Sequence, residues 1–128
     1  MTFDNTIEAG NSEVVVGTPE RDLIFVGNSN RVDGLGGNDC IVAGKSNSVR
    51  AGAGSDVVVL NGASNVAYGG SGNDGLYAKA SANSLKGEGG NDYLEAVGAS
   101  KADGGAGDDE CVVGPQGKAV NCEPVEVE

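Results

Sequence analysis

Gly34-Leu35-Gly36-Gly37-Asn38-Asp39-Cys40-Ile41 is answered one period later by Ala51-Gly52-Ala53-Gly54-Ser55-Asp56-Val57-Val58. Three more corners follow the same plan: Gly69-Gly70-Ser71-Gly72-Asn73-Asp74, Gly87-Glu88-Gly89-Gly90-Asn91-Asp92 and Gly104-Gly105-Ala106-Gly107-Asp108-Asp109. The aspartates Asp39, Asp56, Asp74, Asp92 and Asp109 are thus 17, 18, 18 and 17 residues apart. A fixed period of that length marks a solenoid, in which each repeat is one turn stacked on the last. Equivalent residues then stand in columns, and these aspartates form a ladder of like charges along one edge. Such a ladder is unfavourable unless positive charge lies between its rungs.

The register extends in both directions. Asp22 lies one period before Asp39, and Asn5 one period before Asp22. Nine residues before each aspartate from Asp22 to Asp109 sits a second polar marker: Glu13, Asn30, Asn47, Asn65, Asn83 and Ser100. Each turn is therefore two half-repeats, and two residues after each marker stands a small or branched apolar side chain. In the Asp half these are Ile7, Ile24, Ile41, Val58, Leu76, Leu94 and Cys111; in the Asn half, Val15, Val32, Val49, Ala67, Leu85 and Ala102. Strand side chains alternate faces, so these point inward, one from each strand, into a thin core. Phe25, Tyr68, Tyr77 and Tyr93 fall at outward positions. The pattern predicts an all-β fold: a parallel β-roll or β-solenoid of about seven 17–18-residue turns with two sheets. At a strand spacing of ~4.8 Å the rod is about 30–35 Å long. Residues 1–16 are expected to form an N-terminal capping turn, 17–113 the repeats, and 114–128 a C-terminal cap and tail. So thin a core must offset the ordering cost of a whole turn, which leaves a stabilising part for a bound ion.

The composition agrees. Glycine accounts for 23 of 128 residues, aromatics for 4%, and Trp and His are absent, which is too few large side chains for a helical or sandwich core. The formal charge of −11 opposes nucleic-acid binding, which needs a basic patch, and favours cations. No apolar run is long enough to span a bilayer. The start, Met1-Thr2-Phe3-Asp4, lacks the basic and apolar segments of a signal peptide. The chain is thus either intracellular or a mature secreted form with an added Met1, and the cysteines favour the second.

The glycine corners resemble the nonapeptide repeat of hemolysin-type calcium-binding (RTX) proteins, G-G-x-G-x-D-x-U-x with U a large aliphatic, from about Gly17 to Val113. The resemblance implies calcium held between corners of neighbouring turns by Asp side chains and main-chain oxygens. Carried over, the sites lie between Asp39 and Asp56, Asp56 and Asp74, Asp74 and Asp92, and Asp92 and Asp109, with Gly37, Gly54, Gly72, Gly90 and Gly107 in the same corners. A fifth would use Asp22, although Glu20 and Arg21 depart from the repeat there, so about four to five Ca²⁺ ions are expected. The chemistry suits calcium, which takes six to eight oxygen ligands. The preference of Asp and Asn for turns explains polar corners but not Asp on one edge and Asn on the other. Because a neutral amide is a poor calcium anchor, the Asn edge reads as a metal-free ladder that bonds its own corner or the neighbouring Asn.

Cys111 and Cys122 are placed to close a disulfide over the last turn, the alternative being two thiols, while Cys40 points outward and unpaired. The ending resembles that of secreted calcium-repeat proteins of Gram-positive bacteria. Outside the Asp-half strands, Leu23, Phe25, Val42, Val57, Val59, Tyr77 and Tyr93 form an apolar stripe that suits a homodimer or a protein partner. The function expected is an extracellular calcium-binding module with a structural or adhesive purpose that folds or rigidifies on a single row of ions. A calcium-stabilised ice-binding solenoid is the alternative, though the outward corner pairs lack threonine. No enzyme is expected: there is no His, and Cys40 has no base beside it.

Overall fold

The computed structural model describes residues 3–124. Met1, Thr2 and the tail residues 125–128, which the sequence reading assigned to the two caps, lie outside the described residues. Within them the chain alternates between two parallel sheets. The eight-stranded sheet contains Asn5–Ala9, Asp22–Val26, Cys40–Ala43, Val57–Leu60, Gly75–Ala78, Tyr93–Ala96, Glu110–Val113 and Glu123–Pro124, stacked in chain order. The seven-stranded sheet contains Val14–Val16, Arg31–Asp33, Ser48–Arg50, Val66–Tyr68, Ser84–Lys86, Lys101–Asp103 and Lys118–Val120, likewise in order. This is the all-β solenoid of about seven turns that the spacing predicts. The pairing steps by one period without slipping: Ile24 faces Ile41, Ile41 faces Val58, Val58 faces Leu76 and Leu76 faces Leu94. Register holds because a one-residue slip would turn every aliphatic side chain out to water.

The core is wider than one side chain per strand. Ile24, Ile41, Val58, Leu76 and Leu94 are fully buried, as are Val49, Ala67 and Leu85 opposite them. Behind the first column runs a second: Val26, Ala43, Leu60, Ala78, Ala96 and Val113, all buried. It exists because most strands of the eight-stranded sheet run four or five residues, so alternation delivers a second inward position four residues after each aspartate. The strands of the other sheet are three residues long and deliver one.

The aromatics stand outside, as expected. Tyr77 and Tyr93 lean on each other with ring centroids 5.8 Å apart. Along the apolar stripe, Leu23, Val42, Val57, Val59, Tyr77 and Tyr93 are half-buried by their neighbours in the stack, and Phe25 is exposed. At the C-terminal end Cys111 and Cys122 are joined, with Cα atoms 5.7 Å apart. Cys40 is a free thiol.

Candidate metal centre

All six aspartates of the ladder are buried: Asp22 and Asp39 at 0% exposure, and Asp56, Asp74, Asp92 and Asp109 at 3% or less. Each rung is tied to the next in one pattern. The main-chain N–H of Asp22 donates to Asp39 Oδ1 (2.8 Å), Asp39 to Asp56 (2.8 Å), Asp56 to Asp74 (2.8 Å), Asp74 to Asp92 (2.9 Å) and Asp92 to Asp109 (2.7 Å). This uses one oxygen of each carboxylate. The other, Oδ2, has no hydrogen-bond partner in Asp39, Asp56, Asp74, Asp92 and Asp109. A buried carboxylate oxygen without a donor is costly, and here the cost recurs on five successive turns.

Asp22 differs. Its Oδ2 accepts from the Thr18 N–H (2.7 Å), and its Oδ1 from the Thr18 hydroxyl (2.8 Å) and Asn5 Nδ2 (2.9 Å). The departure of the first corner from the repeat thus has a physical meaning: threonine and asparagine donors do for Asp22 what nothing in the protein does for the other five.

Four of the five unpartnered oxygens lie against a glycine that no side chain could replace without a clash. Five residues before each aspartate stand Gly34, Ala51, Gly69, Gly87 and Gly104, all buried. A Cβ on Gly69 would come within 2.6 Å of Asp74 Oδ2 and 2.9 Å of the Gly87 carbonyl oxygen, and one on Gly34 within 2.8 Å of Asp39 Oδ2. Gly87 and Gly104 face Asp92 and Asp109 in the same way. Glycine is needed there for room, not for φ. Ala51 is the exception, and puts a methyl group at this place on the Asp56 rung.

The second glycine column has the other reason. Gly37, Gly54, Gly72, Gly90 and Gly107, two residues before each aspartate, have φ between 82° and 105°. A Cβ on Gly54 would collide with the Gly37 carbonyl oxygen, and the clash repeats at Gly72 and Gly90. Among the described residues, the carbonyls of Gly37, Gly54, Gly72 and Gly90 accept no hydrogen bond. Each corner thus presents a free carboxylate oxygen and free main-chain oxygens, a donor set for a hard cation. No three Asp, Glu or Cys side chains converge among the described residues, so an ion here must take main-chain oxygens as well as carboxylates.

The carboxyl groups show the same lack of partners. Burial pushes Asp39 up to about 6, Asp56 to about 7, Asp74 to about 8 and Asp92 to about 6. The N–H bond each accepts works against the rise, and the charge of a neighbouring aspartate adds to it. Burial without a compensating positive charge thus favours the protonated form of these carboxyls.

The Asn edge has the same skeleton and no such deficit. The N–H of Asn30 donates to Asn47 Oδ1 (2.7 Å), Asn47 to Asn65 (2.7 Å) and Asn65 to Asn83 (2.8 Å), and Asn83 ends on Ser100 Oγ (3.2 Å). The amide nitrogens are also used. Asn30 Nδ2 donates to the Gly10 carbonyl (2.8 Å), Asn47 to Gly27 (2.9 Å), Asn65 to Gly44 (2.8 Å) and Gly62 (3.0 Å), and Asn83 to Gly62 (3.0 Å) and Ala80 (2.8 Å). The sequence had offered two roles for these side chains, and the structure has them in both.

The model of the RTX calcium-binding nonapeptide repeat (4 copies) matches the chain over residues 17–49, 44–76 and 68–96, a continuous span from 17 to 96. No curated protein and no solved structure matches the chain.

Proposed function

The chain belongs to the RTX calcium-binding nonapeptide repeat family, and from that premise we propose that this calcium-binding β-roll completes its fold with a single row of about four ions along the Asp edge. The observation that carries the reading is the set of unpartnered Oδ2 atoms on Asp39, Asp56, Asp74, Asp92 and Asp109. Consecutive pairs of these aspartates would hold the ions, together with free carbonyl oxygens of their corners, Gly37, Gly54, Gly72 and Gly90 among them. Bound calcium would supply the positive charge that a buried carboxylate ladder lacks. Asp22 caps the row on this reading and takes no ion of its own, because Thr18 and Asn5 already satisfy it.

The disulfide supports an extracellular setting, where weak sites of ~10⁻⁴–10⁻³ M suffice. The rod then serves a structural or adhesive purpose there and performs no catalysis. Its apolar stripe, with Phe25 the most exposed member, is its self-association face; sedimentation at high micromolar protein with calcium tests this, and a monomer sinks it.

The test of the fold-completing role is a calcium titration of EDTA-treated protein followed by far-UV circular dichroism, with magnesium as control. A cooperative gain of β signal with calcium alone is expected. An unchanged β signal through the titration would overturn the reading.

A further inference from the structure

The protein carries 8 Lys and Arg against 19 Asp and Glu, yet its few cations are not scattered. Five of the eight stand on the strands of the seven-stranded sheet: Arg31, Arg50, Lys86, Lys101 and Lys118. The strands of the eight-stranded sheet hold none. All five are exposed, while Val32, Val49, Leu85 and Ala102 of the same strands point into the core. From the second turn to the seventh, each turn places one cation on this face, except the fourth, which places Tyr68.

Register fixes the arrangement. Arg50 pairs with Tyr68 and Tyr68 with Lys86, and both cations lie over the ring, at 5.1 and 5.4 Å from its centroid. Lys101 and Lys118 are partners in the neighbouring column. Lys86, Lys101, Asp103, Lys118 and Val120 line a shallow cleft of about 210 Å³.

None of these five cations forms an ion pair among the described residues. The one ion pair among the described residues, Arg21 with Asp4 at 3.3 Å, lies elsewhere. The two acids on the face are turned to their corners: Asp33 accepts from the Leu35 N–H (3.1 Å), and Asp103 from the Gly105 N–H (3.0 Å) and Asn121 Nδ2 (2.9 Å). A chain of net charge −11 that gathers five of its seven unpaired cations on one face has a surface complementary to an extended anion.

We propose that this face binds a linear acidic polysaccharide, a polymer of uronic-acid sugars, running along the rod axis with its carboxylates over Arg31, Arg50, Lys86, Lys101 and Lys118, and with the Tyr68 ring positioning Arg50 and Lys86 on either side of it. The spacing selects the ligand class. Along the rod axis successive turns stand ~4.8 Å apart, close to the length of one pyranose ring with its single carboxylate, and the cations are divided between two columns, Arg31, Lys101 and Lys118 in one and Arg50 and Lys86 in the other. Duplex DNA carries a charge every ~1.7 Å, a density that these sparse columns and the acidic remainder of the protein do not match.

The test uses the full chain, shown to be folded by circular dichroism before any ligand is added, so that failure of the calcium reading is seen separately. A short oligogalacturonate, too short to gel with calcium, is titrated by calorimetry, with a neutral oligosaccharide and single-stranded DNA as comparisons. We expect binding to the oligogalacturonate alone, weakening as salt rises. Lys86→Gln/Lys101→Gln/Lys118→Gln should weaken it at least tenfold and flatten the salt slope. Tyr68→Ala should weaken it several-fold with the slope unchanged. Both variants should keep the wild-type dichroism and calcium stoichiometry. The proposal is overturned if folded protein ignores the oligogalacturonate or prefers the DNA. It is equally overturned if the charge variant binds as well as wild type, because calcium bridging to the acidic edge would then account for the binding.

Discussion

The two edges of the rod differ by one atom per rung. On both, a buried side-chain oxygen accepts the N–H of the rung before it, and stacking follows the same period. On the Asn edge the second side-chain atom is an amide nitrogen that finds main-chain carbonyls in its own or the preceding corner. On the Asp edge it is an oxygen that finds no donor on five rungs. The corners differ to match. Ser29, Ser46 and Ser64 take the left-handed turn before their asparagines, whereas Gly37, Gly54 and Gly72 take it near the aspartates. An edge that carries its own donors is complete as folded; one made of acceptors depends on what the solution supplies.

Exchanging the two chemistries should show this. Asn65→Asp would place a carboxylate on the complete edge and remove the bonds to Gly44 and Gly62. The expected loss is about 3–5 kcal/mol, the cost of an uncompensated buried charge, read as a lower urea midpoint in saturating calcium. Wild-type stability in this variant would mean that the edge is less closed than its hydrogen bonds indicate.

The reverse exchange, Asp74→Asn, should make the calcium-free protein more stable and the calcium-bound protein less so. It should also lower the ion stoichiometry measured by equilibrium dialysis by one or two. An unchanged stoichiometry would remove Asp74 from the site.

Acidity should act on one edge only. Carboxyls raised to between about 6 and about 8 in the fold, against an ordinary value of 3.8, bind protons more tightly folded than unfolded. Their contribution is full below the ordinary value and is lost as pH rises through 6 to 8. In EDTA the β signal should therefore recover as pH is lowered from 8 to 5. With saturating calcium the same change should weaken the protein, because protons then compete with the ion.

The smallest effect belongs to Ala51. Ala51→Gly should raise calcium affinity at the Asp56 rung several-fold, and Gly69→Ala should lower it comparably at Asp74. Equal affinities in all three proteins would mean that the space beside Oδ2 is not used.

Most of this was written in the chain at single-residue scale. Asp39 and Asn47 announce their edges because only a period of 17 or 18 brings like residues into columns, and Ile41 and Val49 mark the inward face by their place after them. The family resemblance added calcium. The second core column was less legible, since Ala43, Ala78 and Ala96 are small and carry little hydropathic signal; continuing the alternation two residues beyond Ile41 would have reached them. The unpartnered Oδ2 atoms could not be read at all: Glu20 and Arg21 set the Asp22 corner apart, but do not tell that Thr18 bonds Asp22 while the other rungs lack a donor. The basic face escaped for a related reason. Arg50, Tyr68 and Lys86 look like an ordinary solvated surface until register sets them side by side.

Both ladders run in one sense: each rung between the ends donates its N–H forward and receives its neighbour's from behind. One turn is therefore a translational unit with matching ends, like a brick whose top fits its own base. Duplicating residues 57–74 in tandem should lengthen the rod by one strand spacing and add one rung to each edge, leaving the closing disulfide and the Asp22 cap as they are. Length in such a molecule can be graduated in steps of one strand spacing.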